Sequence, residues 1–156
     1  MAFETNLRSF NKLKAKNFRD CRCFNCGVWN KSDTLIFSSQ DKETDKLIYT
    51  KVDRLQQKHP KISKVSVRAI DDIPVCINMT FLKMDIEGAE LNALKGAEQT
   101  IRKSHPTLAI SIYHSDQDLL EIPLYILSLG LDYNYYIRHH GVAFAEVVFY
   151  AIARNR

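Results

Sequence analysis

The strongest structural signal in the sequence is Phe81-Leu82-Lys83-Met84-Asp85-Ile86-Glu87-Gly88-Ala89-Glu90. Its first six residues carry mostly apolar side chains, which predicts a buried strand. Gly88 predicts a sharp corner, because glycine adopts backbone angles that other residues avoid. Apolar residues then recur at helical spacing as far as Ile101. The stretch therefore predicts a strand, a turn and a helix in succession.

Three carboxylates accompany this unit. Asp85 falls near the carboxyl end of the predicted strand, where an open α/β sheet binds its ligands. Glu87 and Glu90 have a simpler structural interpretation, since a helix N-terminus favours negative charge without any ligand. Asp85 differs, because a buried and unpaired carboxylate costs several kcal/mol. We therefore expect Asp85 to meet a partner, a ligand or water.

The composition is that of a soluble globular chain. Its 156 residues are 46% hydrophobic and 26% charged, which suits one domain over residues 1–156. The net charge of +4 is too small and too dispersed to indicate nucleic-acid binding. No apolar run approaches the roughly 20 residues of a membrane span, and no signal peptide is visible. These features predict a cytoplasmic protein with no membrane and no nucleic-acid partner.

The chain has four cysteines at irregular spacing, which predicts reduced thiols. Cys21, Cys23 and Cys26 suggest zinc, but a zinc site needs four ligands close together, and neither a second close pair nor a nearby histidine follows. Small core or surface thiols are the simpler interpretation. We therefore expect no metal at these cysteines.

Short strands and one helix are predicted before the central unit. Residues 7–13 have helical spacing, with Thr5 or Asn6 as a candidate N-cap. Apolar and β-branched runs predict strands at 22–29, 34–37, 47–52 and 64–70. Asp71 and Asp72 precede Pro74, which predicts a helix start with two solvated acids.

A second strand, a helix and a strand pair are predicted after the central unit. His105-Pro106 should stop the central helix, and residues 108–113 should form a buried strand. An amphipathic helix is expected at 116–129, ending at Gly130. Its inward residues are predicted to be Leu119, Leu120, Ile122, Ile126 and Leu127. The closing strands are predicted at 133–139 and 147–154.

Two histidine positions are candidates for function. His114 follows a predicted strand, as Asp85 does, so both could face one cleft. Histidine suits proton transfer near neutral pH, while the structural alternative is a polar strand end. His139 and His140 should point to opposite faces, so only one of them can face a site. A solvated loop pair is the alternative for these two residues.

The sequence of the central unit resembles FkbM-type methyltransferases. The similarity rests on LKMDIEGAELNALKGAEQTI at 82–101. It continues in Ala2–Glu4, Phe24–Trp29, Leu108–His114, Asp118–Pro123, Tyr136–His140 and Glu146–Ala151. The resemblance implies an enzyme that uses S-adenosylmethionine (SAM) to methylate an oxygen of a small molecule or sugar. It also implies an α/β, Rossmann-like class I sheet, mostly parallel, with an antiparallel C-terminal hairpin.

The resemblance also implies roles for individual residues. Glu4 matches the acid that binds the ribose of SAM, and its structural alternative is a plain carboxylate at the start of a helix. Gly27 with Val28 would lie near the adenine. Asp85 would also contact the cofactor, and Asp85 or His114 would be the catalytic base. Glu87 and His139 would contact the substrate. Because both acids follow strands of one parallel sheet, we expect Glu4 and Asp85 to converge on one cleft.

The sequence also departs from the family in two respects, the first being that Thr5 and Leu7 stand near places where the family usually has prolines. SAM enzymes of this class carry a glycine-rich loop after their first strand, and none of the five glycines forms such a cluster. The chain therefore looks N-terminally truncated relative to the family. Loss of a central strand would expose sheet edges, so the alternative to an enzyme is a non-catalytic remnant or interaction module that self-associates.

A divalent cation site is a minority interpretation of the same acids. Asp85 and Glu87 could contribute to it, but hard cations want several oxygen ligands arranged together. We therefore expect no metal.

Overall fold

The computed structural model describes residues 1–38, 62–141 and 145–154, which form a mixed α/β fold. The elements in chain order are β1 (Ala2–Phe3), α1 (Leu7–Ala15), β2 (Cys23–Phe24), β3 (Gly27–Val28), β4 (Asp33–Ser38), β5 (Ile62–Arg68), β6 (Phe81–Met84), α2 (Glu90–Lys95), α3 (Glu98–Ser104), β7 (Thr107–Ser111), α4 (Asp118–Ser128), β8 (Tyr133–His139) and β9 (Val147–Ala153). Two single-turn 3-10 helices, Ile70–Asp72 and Pro74–Cys76, precede β6. The strand predicted at 47–52 lies outside the described residues.

The described strands form three sheets. Their orders are β1-β2, β3-β5-β4 and β6-β7-β9-β8. The pairs β1/β2, β3/β5 and β6/β7 are parallel, while β4/β5, β7/β9 and β8/β9 are antiparallel. The predicted C-terminal hairpin at the sheet edge is confirmed. The single, mostly parallel sheet is not observed among these strands. A cavity of about 350 Å³ is lined by residues of both β1 and β6.

The central unit has the predicted order of a strand, a corner and a helical segment. Glu87 (φ +59°) and Gly88 (φ +90°) form the corner between β6 and α2. Met84 is buried, but Phe81 is 57% exposed. Within the described part of the chain, no strand covers the outer edge of β6. The strand is therefore less buried than its apolar sequence predicts.

The predicted continuous helix is wrong, since it divides into α2 and α3 at Gly96. A Cβ atom added at Gly96 would lie 2.0 Å from the carbonyl oxygen of Trp29. The close approach of these backbones requires glycine here and interrupts the helix. Asp71 starts α3 anew, because its carboxylate accepts hydrogen bonds from the amides of Gln99 (3.0 Å) and Thr100 (2.8 Å). Asp71 is thus a helix cap and not the solvated acid that the sequence predicts.

The main core lies between the four-stranded sheet and the helices. Its fully buried side chains include Ile70, Leu94, Ile101, Leu108, Ile110, Ile112, Ile122 and Ile126. Helix α4 packs against α2, with Ile122 and Ile126 inward as predicted. Leu119, Leu120 and Leu127 are exposed, so the prediction for these three is wrong. Leu120 and Leu127 lie on the opposite side of the helix from Ile122, and Leu119 lies in the first turn.

Two helix ends have the predicted chemistry. The side chain of Asn6 accepts hydrogen bonds from the amides of Arg8 (2.9 Å) and Ser9 (3.1 Å), which caps α1. Gly130, with φ +65°, follows the end of α4. None of the helices in the described ranges combines the length and apolarity that crossing a bilayer requires.

Candidate functional site

A cavity of about 370 Å³ lies beyond the ends of β1 and β6. Its lining includes five residues that the sequence analysis selected: Glu4, Gly27, Val28, Asp85 and Glu87. Glu4 follows β1 directly and Asp85 follows β6 directly, so each lies at the carboxyl end of its strand. The predicted convergence of Glu4 and Asp85 on one cleft is confirmed.

Hydrogen bonds to neighbouring segments hold Glu4 in the wall of the cavity. Its amide donates to the carbonyl oxygen of Phe24 (3.0 Å), which continues the β1–β2 pairing. Its Oε1 accepts from the amide of Asn6 (2.7 Å), and Asn25 Nδ2 donates to the Glu4 carbonyl oxygen (2.8 Å). Glu4 therefore has the structural role at the helix start. A carboxylate accepts several hydrogen bonds, so this role leaves capacity for a ligand.

Gly27 and Val28 form the opposite wall as strand β3, which pairs in parallel with β5. A Cβ atom added at Gly27 would lie 3.1 Å from Val67 Cγ1 and 3.2 Å from Thr5 Cγ2. Both neighbours line the cavity, as does Trp29. Glycine at position 27 therefore lets Thr5, which follows β1, and Val67 of β5 lie close to β3, and it keeps a side chain out of this narrow place.

A cluster of titratable groups lies where β6 and β7 end. These strands run parallel with Met84 opposite Ile110, so the residues that follow them meet at one edge. Nδ1 of His114 lies 3.3 Å from Glu90 Oε1, and Nε2 lies 3.5 Å from Asp85 Oδ1. Nε2 also lies 3.6 Å from Glu87 Oε2. We call Asp85, Glu90 and His114, with Glu87 at the rim, the acid–histidine cluster.

His114 interacts electrostatically with the carboxylates of this cluster. Its side chain is 9% exposed, and neither ring nitrogen makes a hydrogen bond to the described residues. The contact with Glu90 raises the pKa of His114 above its ordinary value, while burial acts in the opposite direction. The charges of Glu90, Glu87 and Asp85 add to the increase.

Sequence reasoning missed the importance of Glu90 and Tyr113. Glu90 is fully buried, and its Oε1 accepts from the amide of Ile86 (2.6 Å) across the corner. Tyr113 donates its hydroxyl to Asp85 Oδ1 (3.0 Å). Burial and this hydrogen bond raise the pKa of Tyr113 to about 12, so the phenol remains a donor at neutral pH. In the sequence, the signal for Glu90 is an acid in the first helical turn, and the signal for Tyr113 is its position beside His114.

His139 lies apart from the cavity, on the hairpin strand β8. Its Nε2 lies 2.9 Å from the carbonyl oxygen of Ala145, so the ring contacts the backbone of the same hairpin. His140 instead contacts the hydroxyl of Tyr150 through Nε2 (3.0 Å). His139 is absent from the cavity lining, and its contact with substrate stays a prediction.

Comparison with known proteins gives one family and one structure. Residues 1–136 match the family described as Methyltransferase FkbM domain. The crystal structure of Methyltransferase FkbM from Methylobacillus flagellatus KT is similar to this chain, with a TM-score of 0.68 and 30% identity. The match covers 96% of this chain and 35% of that one, so this chain spans about a third of that protein's length. The comparison with curated proteins gives no match.

Proposed function

Because this chain belongs to the FkbM methyltransferase family, we propose that it transfers a methyl group from SAM to an oxygen of a small molecule or sugar. The observation that carries the proposal is the shared cavity of Glu4 and Asp85, which lie far apart in sequence. Ligands of α/β proteins bind beyond the carboxyl ends of strands, where both residues lie. The volume of about 370 Å³ falls in the range of small-molecule sites.

The donor side of the cavity fits SAM by its chemistry. SAM supplies an electrophilic methyl group when it is bound. Glu4 offers carboxylate oxygens that can accept the hydrogen bonds of ribose hydroxyls. Gly27 leaves the wall without a side chain, and Val28 adds an apolar surface suited to a flat base. These residues would therefore hold the nucleoside part of the donor.

The acceptor side is formed by Asp85 and Glu87. Methyl transfer to oxygen is largely a matter of aligning donor and acceptor, and it requires loss of the acceptor's hydroxyl proton. Asp85 receives the Tyr113 hydroxyl on Oδ1 and lies 3.4 Å from Lys83 Nζ at Oδ2. These contacts fix its orientation. Asp85, with His114 beside it, is the proposed acceptor of that proton.

Calorimetric titration with SAM tests the proposal. We expect wild-type protein to bind SAM and Glu4→Gln to bind it about tenfold to hundredfold more weakly. The reason is that a hydrogen bond to a charged group contributes about 1.5 to 3 kcal/mol. Glu121→Gln is the matched control, because Glu121 is an exposed glutamate on α4. Absence of heat and of any thermal shift at millimolar SAM would disprove donor binding by this chain.

The edge of β6 that no described strand covers favours a second candidate function, an interaction module that pairs with another copy of the chain. Phe81 is exposed there beside the apolar cavity between β1 and β6. Unpaired strand edges favour pairing with a further strand. We expect light scattering to give the mass of a dimer, and Phe81→Lys to give a monomer.

Leu120→Lys provides the control for that experiment, because Leu120 is an exposed apolar residue on α4, outside the β6 edge. It should leave the dimer intact. A wild-type monomer that unfolds in one sharp transition would speak against this second function.

A further inference from the structure

The acid–histidine cluster has the geometry of a cation site. Asp85, Glu90 and His114 each present one ligand atom, and these atoms all lie within 4.8 Å of one another. Bonds of about 2.1 Å to a common ion place ligand atoms about 3 to 4 Å apart. The three side chains would therefore need to close by at most about 1 to 2 Å.

Buried polar atoms without partners point independently to a missing ligand. Glu90 is fully buried, and its Oε2 makes no hydrogen bond within the described residues. The His114 side chain is 9% exposed, and neither of its ring nitrogens makes a hydrogen bond within the described residues. A buried polar atom without a partner is costly, and native proteins rarely keep three together. A single ligand placed in the cluster would serve Glu90 Oε2 and one ring nitrogen of His114, because an imidazole offers only one of its nitrogens to one ion.

The local charge favours a positively charged ligand. Asp85, Glu87 and Glu90 supply three carboxylates around one imidazole. Lys83 lies 3.4 Å from Asp85 Oδ2, and its side chain is 61% exposed, so it balances only one of them. Glu90 has no contact with solvent, and a buried charge requires a paired charge or a metal.

We propose that Asp85, Glu90 and His114 bind a divalent first-row cation, with Glu87 at the entrance. Carboxylates suit Mn²⁺, and imidazole suits iron and zinc, so the mixed ligand set favours a transition metal over Mg²⁺. The sequence-based expectation of no metal considered Asp85 and Glu87 alone. Folding adds Glu90 and His114, which supply the ligands that the expectation lacked.

This inference does not depend on methyl transfer, because the site can be tested without SAM. Where both proposals hold, the cation would lie beside the acceptor side of the cavity through Asp85. A bound cation lowers the pKa of a coordinated hydroxyl, as it does for water. His114 would then serve as a ligand, the cation would make the acceptor's hydroxyl more acidic, and the proton would pass to the carboxylate oxygen of Asp85 that does not bind the cation.

Mn²⁺ is the appropriate probe for this site. Zn²⁺ would also bind thiolates, and the sulfur atoms of Cys21 and Cys23 lie 3.7 Å apart. The loss of the free Mn²⁺ signal in electron paramagnetic resonance measures binding directly. We expect one Mn²⁺ per chain, with at least tenfold weaker binding in Asp85→Asn and in Glu90→Gln. Both substitutions remove a charge and keep the size of the side chain.

Glu98→Gln is the matched control, because Glu98 lies in the first turn of α3 as Glu90 does in α2. It should bind Mn²⁺ as wild type does. If Glu90→Gln fails to fold, Asp85→Asn decides the result, since the Asp85 side chain is partly exposed. No binding by wild type at millimolar Mn²⁺ would overturn the proposal, and so would equal binding by Asp85→Asn. A protonated His114 would then supply the positive charge in the cluster.

Discussion

Asp85→Asn is expected to lower methyl transfer by about 100- to 10,000-fold, the range typical of a lost general base. The substitution removes the charge that would accept the proton of the acceptor. Asparagine keeps an oxygen that can still receive the hydroxyl of Tyr113, so the fold should survive. S-adenosylhomocysteine formed with a panel of hydroxylated small molecules and sugars measures the rate, and thermal unfolding confirms folding.

Asp72→Asn is the control for this prediction. Asp72 is an exposed aspartate that accepts a hydrogen bond from Ser32 (2.7 Å), and it does not line the cavity around Asp85. Its substitution should leave the rate unchanged. If folded Asp85→Asn transfers methyl groups as fast as wild type, Asp85 is not the base.

Gly96→Ala is expected to lower the free energy of unfolding by about 3 kcal/mol, at the upper end of overpacking effects. The added Cβ would meet the backbone oxygen of Trp29 at 2.0 Å, and a backbone atom cannot move aside as a flexible side chain can. For a domain of this size the loss corresponds to a melting temperature lower by about 6 to 12 °C. Chemical denaturation gives the free energy directly.

Gly130→Ala separates this steric effect from backbone strain. Gly130 has φ +65° and no atom within 4 Å of an added Cβ, so only the left-handed conformation disfavours alanine. That cost is about 1 kcal/mol. Equal losses in the two variants would contradict a specific contact between Gly96 and Trp29. Because Trp29 also lines the cavity, Gly96→Ala should weaken ligand binding as well.

Local chemistry made much of the fold predictable. The corner at Gly88, the cap at Asn6 and the helix end before Pro106 depend on neighbours within a few residues. The C-terminal hairpin was predictable for the same reason, since β8 and β9 are adjacent in sequence. In each of these places a residue's own conformational preference agrees with the structure.

Contacts between distant residues determined the parts that were not predictable. The break between α2 and α3 depends on the approach of Trp29 to Gly96, and the start of α3 depends on Asp71. Neither contact can be predicted from helical periodicity. The separation of the β1-β2 sheet from the four-stranded sheet depends on whether β1 and β6 pair, and strand sequences alone do not specify their partners.

The candidate site shows the same division. Asp85 and His114 were identifiable because each lies at the end of a predicted strand, and Glu4 was identifiable through the family resemblance. Glu90 has an ordinary sequence position in a first helical turn, and only its complete burial distinguishes it. Its burial results from the corner at Gly88, which places α2 against the core.

The fluorescence of Trp29 reports directly on SAM binding in the proposed site. It is the single tryptophan of the chain, and it lines the cavity that Glu4 and Asp85 share. Titration with SAM should change its emission saturably, and Glu4→Gln should shift the curve to about tenfold higher concentration or more. No change at millimolar SAM, or the same curve for both proteins, would contradict a SAM site in this cavity.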